Sequence, residues 1–247
     1  MASKRAACRR LHSQGGFTIA ELLVAMVVGS IVMAAAFAAY STFSRQYAKY
    51  IDQSDMHRSA SQVLEVLAKD LRMAGAYHID SPYGAIEIDV AIEHDSNAGP
   101  SKSDRIIVVY DEDEITRVKH HYEILACSAI SPCSPDRPRL YKSRWEWSGT
   151  DWRQAYFRQP VADYVEDLQF RFNYEDGSFS DAPGDLVAGN TPQSVDVAVL
   201  VRAQATHLLA EKNQSFDLMD HSFSVVDKYH RANNSTVVQM RNLGGKL

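Results

Sequence analysis

Residues 17–40 read FTIAELLVAMVVGSIVMAAAFAAY, with one charge, Glu21, and no Pro. No other feature narrows the possible folds as much. As a helix the segment would be roughly 36 Å long, against a hydrocarbon core of about 30 Å, so it is able to span a membrane. A buried helix of a soluble protein is the competing reading, but such helices rarely stay apolar on every face over this length. The preceding residues 1–16 hold Lys4, Arg5, Arg9 and Arg10 and no acid. That flank belongs in the cytoplasm, which places the remainder on the far side, in a bacterium the periplasm.

An ordinary anchor needs neither of two further features. Glu21 puts a carboxylate in an apolar run, at a cost of about 2.5–3.5 kcal/mol at mid-bilayer and less near the interface. Gly15-Gly16 puts two small residues directly before Phe17. Together with the basic leader, Gly16-Phe17-Thr18-Ile19-Ala20-Glu21 resembles the class III signal of type IV pilin-like proteins. That resemblance implies cleavage by prepilin peptidase between Gly16 and Phe17 and N-methylation of Phe17. It also implies that Glu21 faces the α-amino group of a neighbouring subunit's first residue. Two rivals stay open. Ala34-Ala35-Ala36 or Ala36-Phe37-Ala38 could serve ordinary signal peptidase, although the 17–33 run exceeds the usual apolar region of about 7–15 residues. An uncleaved anchor could also carry an unrelated domain. Both leave Glu21 unexplained.

Helical spacing persists beyond Tyr40. Tyr40, Phe43, Tyr47, Tyr50 and Ile51 recur at three or four residues, and Ala60, Val63, Leu64, Leu67, Leu71 and Ala74 resume the pattern. No Pro intervenes and Gly75 suits a C-cap, so one helix is expected from Phe17 to about Ala74. Gly29 is its weak point. From Tyr83 the period becomes two. Strands are expected at Ala85–Ile92, Arg105–Tyr110, Ile115–Leu125, Arg139–Trp147, Tyr164–Tyr174, Ser194–Arg202, Ser222–Val226 and Ser235–Arg241. The alternation of Leu168, Phe170, Phe172 and Tyr174, and of Val195, Val197, Val199 and Val201, argues for an antiparallel sheet with one wet face. Loop insertions are expected near 126–138, 176–192 and 207–221.

Four segments extend the resemblance to the PilW family of minor pilins: Asp70-Leu71-Arg72-Met73-Ala74-Gly75, VEDLQFRFNYEDG from Val165, VDVAVLVRA from Val195, and the terminal VVQMRN. The expected class is α+β and pilin-like, a long N-terminal helix packed on an antiparallel β-sheet domain. Residues 1–16 are the leader, 17–40 the transmembrane or filament-core helix, 41–76 its amphipathic continuation and 77–247 the periplasmic domain.

Composition excludes other classes. Of 26 Lys and Arg, four lie in the leader, leaving 22 against 31 Asp and Glu. So acidic a body is no general nucleic-acid binder. Of three Cys, Cys8 falls in the leader; Cys127 and Cys133 stand in a Pro-containing loop and read as a disulfide in an oxidising compartment. Asp111–Glu114 and the acids of 175–185 do not follow the EF-hand pattern and read as solvated turns. Residues 137–158 interleave cations with Tyr141, Trp145, Trp147, Trp152, Tyr156 and Phe157. Their plain reading is a core aromatic face backed by a solvated one. The functional reading makes Arg139, Lys142 and Arg144 a patch for DNA, acidic glycan or a neighbouring subunit. No enzyme motif, metal site or cofactor site is expected.

The function expected is a minor pilin, structural in type IV pilus assembly and supporting twitching motility. Its partners would be prepilin peptidase, the other minor pilins, the major pilin and the inner-membrane platform. A minor pseudopilin of a type II secretion system, and a membrane-tethered periplasmic binding module or enzyme, are the alternatives.

Overall fold

The computed structural model describes residues 16–87, 91–95, 103–125, 137–181, 191–206 and 210–243. The leader before Gly16, and Cys127 and Cys133 with the bridge expected between them, lie outside those residues. Helix α1 (Ile19–Met73) is continuous, Gly29 included. The chain divides into two compact units, Met1–Ala48 and Lys49–Leu247, and α1 contributes to both.

In the first unit α1 turns its apolar side chains outward all round: Leu22, Val28, Ile31 and Phe37 are each more than half exposed. Its length and composition suffice to cross a membrane. In the second unit the polarity is divided. Met56, Ala60, Val63, Leu67 and Leu71 form a buried stripe at helical spacing, while most of the intervening polar residues, Asp70 excepted, face water.

The stripe packs into a core shared with two antiparallel sheets. Strands β1 (Ile92–Asp95), β2 (Arg105–Asp111), β3 (Arg117–Leu125), β4 (Arg139–Trp147) and β5 (Trp152–Asp163) form a meander in sequence order. Next come β6 (Val165–Tyr174), β7 (Phe179–Ser180), β8 (Pro192–Thr206), β9 (Lys212–Leu218), β10 (His221–Asp227) and β11 (Tyr229–Gln239). The second sheet has the order β11-β8-β6-β7, and β9 and β10 make a separate hairpin. The architecture is thus a long N-terminal apolar helix followed by antiparallel sheets.

Several boundaries differ from expectation. Ala85–Glu87 has no regular structure, and the first strand begins at Ile92. Ile115 is exposed in the β2–β3 turn, and β3 starts at Arg117. Strand β5 goes unread by periodicity because it is an edge strand: half of its side chains are exposed, Pro160 lies within it, and its pairing with β4 shifts register three times. The expected insertions at 207–221 and 176–192 contain β9 and the short β7. Strand β11 begins at Tyr229, six residues before Ser235. The second sheet also lacks a uniformly wet outer face. Leu200 and Ala198 are buried there with Leu218, and Phe216 and Phe223 of the hairpin pack against them.

Helix α1 ends as its sequence demands. Gly75 takes φ +73°, which closes the last turn in the left-handed region. A Cβ there would stand 3.0 Å from Leu243 Cδ2 and 3.1 Å from the carbonyl oxygen of Asn242. Gly75→Ala should therefore lower stability by about 1–2 kcal/mol for the backbone conformation alone, measured as a fall in the urea midpoint. An unchanged midpoint would mean that the tail yields without cost.

Candidate functional site

Helix α1 carries a polar site near each of its ends. At the start, Thr18 is the N-cap and Glu21 the third helical residue. Glu21 N–H donates to Thr18 Oγ1 at 3.3 Å, while Glu21 Oε2 accepts from Thr18 N–H at 2.9 Å and Thr18 Oγ1 at 3.0 Å. This is a capping box, in which two orphan backbone donors of the helix start are satisfied reciprocally. The T-x-x-E spacing carries that signal in the sequence, beside its place in the signal motif. Oε2 takes both Thr18 donors, and among the described residues none reaches Oε1. Phe17, directly before the cap, is 89% exposed. The site thus presents an open carboxylate oxygen next to the residue that cleavage after Gly16 would make the first.

At the far end, the core-facing stripe of α1 contains one carboxylate, Asp70, only 2% exposed. Its Oδ2 accepts from Tyr122 OH at 2.5 Å, His120 Nδ1 at 2.6 Å and Lys142 Nζ at 2.7 Å, and its Oδ1 from Tyr110 OH at 3.2 Å. Strands β2, β3 and β4 thereby converge on a single side chain of the helix. Burial pushes the Asp70 carboxyl up, but His120 and Lys142 together outweigh it and hold the group well below the usual carboxylate range. Burial and the charge of Asp70 push the Tyr110 and Tyr122 hydroxyls up, so both stay protonated donors. Every donor comes from the chain itself and the acceptor is out of solvent. The arrangement clamps a helix end to a sheet rather than presenting a nucleophile.

The residues around the clamp come from segments far apart in sequence. Asn242 Nδ2 donates to the Arg72 carbonyl at 2.8 Å, and the Gly75 N–H to the Val109 carbonyl at 3.0 Å. The 70–75 and 237–242 segments singled out in the sequence therefore meet. The 165–177 and 195–203 segments pair as β6 and β8. Behind them Arg231 holds Glu166 through both oxygens at 2.5 and 3.1 Å and Asp227 at 2.6 and 2.8 Å. Asp167 is fully buried and bonded to His221 Nδ1 at 2.7 Å, which fixes β10 over the sheet.

The three cations weighed as an interaction patch are engaged internally. Lys142 is the Asp70 partner just described. Arg139 pairs with Asp163. Arg144 pairs with Glu112 at 2.7 Å and Glu146 at 2.9 Å. Of the β2–β3 turn acids, Asp111 is buried on Arg117 at 2.7 Å, and Asp113 caps the N–H of Ile115 at 2.9 Å. Among the described residues, one grouping has metal-like spacing: His78, Asp80 and Glu114 bring donor atoms within 4.8 Å, all three exposed. Exposed donors of this kind hold no preformed geometry.

Comparison with known proteins bears on the N-terminus and on the fold. Residues 11–37 match the prokaryotic N-terminal methylation motif. The fold is similar to that of the type IV-like pilin TTHA1219 from Thermus thermophilus. The TM-score is 0.52 at 15% identity, with 76% of this chain and 96% of that chain covered. No curated protein sequence matches the chain. A prepilin-type N-terminus is thus joined to a type IV pilin-like fold.

Proposed function

We propose that this chain is a minor pilin of the PilW type, a structural subunit that primes type IV pilus assembly. The observation that carries the reading is the open carboxylate of Glu21 beside Phe17, at the head of a helix whose first part, to Tyr40, exposes its apolar side chains on all sides. In this reading prepilin peptidase removes residues 1–16 and Phe17 is N-methylated. Residues 17–40 lie in the inner membrane and later among neighbouring helices; residues 41–76 continue the helix under the periplasmic domain, 77–247. Cys127 and Cys133 form a bridge there. Other minor pilins and the major pilin supply the partners of Glu21, and the inner-membrane platform extracts the subunit. The chain is itself the substrate of an enzyme and performs no catalysis.

N-terminal peptide mass from native membranes tests the first step. The expected peptide begins with N-methylated Phe17. A peptide beginning at Met1, or near Ala39, would overturn the reading. A deletion strain tests the system. Loss of surface pili and twitching is expected; intact pili with lost protein secretion would instead identify a pseudopilin.

A further inference from the structure

We propose that the outer face of the five-stranded sheet, at the β4–β5 turn, is a binding site for a pyranose sugar. The chain contains three tryptophans, and all three stand there: Trp145, Trp147 and Trp152. Register fixes the face. Lys119 of β3 opposes Trp145, and Trp147 opposes Trp152. Val118, His120 and Tyr122 alternate with Lys119 and point into the core, so Lys119 and the tryptophans point away from it. Rings this large are usually placed by burial, yet these three remain partly exposed.

Trp147 and Trp152 lie 5.2 Å apart at 59°. With Val109 and Ile86 they form the apolar lining of a cavity of about 250 Å³, which Glu87 and Arg117 edge. Arg117 is held by Asp111 and by the carbonyl of Gly84, so its guanidinium is positioned in advance. Lys119 Nζ sits 4.7 Å from the Trp152 ring centre, with no carboxylate partner among the described residues. Neither indole N–H of the pair has a hydrogen-bond partner among those residues. A wall of aromatic rings with a few fixed polar groups at its edge is the usual form of a small-ligand site. Its chemistry matches a pyranose: the electron-rich ring face takes the sugar's C–H face, and the carboxylate, guanidinium and indole N–H groups take its hydroxyls.

A single-stranded nucleic acid would need a basic groove tracking its backbone. Arg139, Lys142, Arg144 and Arg158 are spent on Asp163, Asp70, Glu112, Glu146 and Glu123, which leaves Lys119 on the tryptophan face, one cation where a groove needs several. The inference is independent of the minor-pilin reading, since it concerns only the second unit.

The full chain, in a detergent without a sugar headgroup, should be applied to a glycan array spanning neutral, amino and uronic pyranoses. Saturable binding to one class is expected, and titration of that glycan should change tryptophan emission, because every tryptophan of the chain reports from this face. Trp152→Leu should weaken binding roughly tenfold or more, with the circular dichroism spectrum retained. Binding that needs uronic acid and fails in Lys119→Ala would place a carboxylate on Lys119; neutral binding would place hydroxyls on Glu87 and Arg117. No array signal, no emission change in the unmodified chain, or binding of a dT12 oligonucleotide alone would each overturn the proposal.

Discussion

Replacing Glu21 with Gln is expected to leave the protein inserted in the membrane and to reduce its incorporation into filaments by two orders of magnitude or more. The choice of Gln rests on the capping box. Gln at the third helical position retains an acceptor for Thr18, so the helix start survives. What disappears is the charge that would pair with a neighbour's α-amino group. Removing one side of a buried ion pair costs about 3–5 kcal/mol, two to three and a half decades in an equilibrium constant. Thr18→Ala makes the opposite change. It keeps the carboxylate and removes the cap, at about 0.5–2 kcal/mol, and should reduce incorporation about two- to thirtyfold, less than the loss of the charge. Pulldown of the pilus fraction with quantitative immunoblotting measures both. Equal losses in the two variants would mean that Glu21 acts only by capping, and the docking role would fall.

Asp70→Asn is expected to destabilise the domain by about 3 kcal/mol. It leaves Lys142 and His120 without their carboxylate, and the lower end of the range for a broken buried pair applies because Lys142 is 17% exposed and can turn toward water. For a unit of this size that is a fall in Tm of roughly 6–12 °C, seen by circular dichroism of the full chain in detergent. The pH dependence follows from the direction of the shift. Asp70 titrates below its unperturbed value of 3.8 when folded. Its stabilisation is therefore complete above that value and lost as pH falls through the lower folded one. The gap between wild type and Asp70→Asn should be constant near neutrality and narrow below about pH 4. Lys142→Met should couple strongly to Asp70→Asn, the double variant costing less than the two singles added. Additivity would show that Lys142 is an onlooker.

The N-terminal site is legible in sequence because its parts are contiguous. Basic leader, small residues, Thr18, Glu21 and the apolar run all lie within one stretch that spacing alone can read. The second part of α1 and the strands β2, β3, β4, β6 and β8 are legible for a related reason: in each, apolar residues recur at the period of the element on the side that faces the shared core. Periodicity fails where burial is not two-sided. Strand β5 is an edge strand with half of its side chains exposed and no regular alternation, while β9 alternates in burial but begins its inward side with the polar Gln214, so only Phe216 and Leu218 mark the period. The Asp70 clamp has only a faint mark, a carboxylate standing within the apolar stripe between Leu67 and Leu71. Its four partners come from β2, β3 and β4, and Lys142 is 72 positions away. No local pattern announces such a meeting. The same blindness makes Lys142 and Arg144 look like a free basic patch, because a sequence displays charges without the acids folded against them.

Strand β11 is the last-made of the described strands, yet it lies beside β8, and the residues after it close over the end of α1 through Asn242 and Leu243. The order of synthesis then matters. The helix is complete early and can be held in the bilayer while translation continues, but the core stays open along β8 until β11 has emerged. Contacts spanning 170 positions form late and at high entropic cost. A chain that stops short of Met240 has an anchor and an unsealed domain, with the valines of β8 offered to proteases. Truncation before Met240 should therefore raise protease sensitivity of the second unit far more than it alters the helix that precedes it.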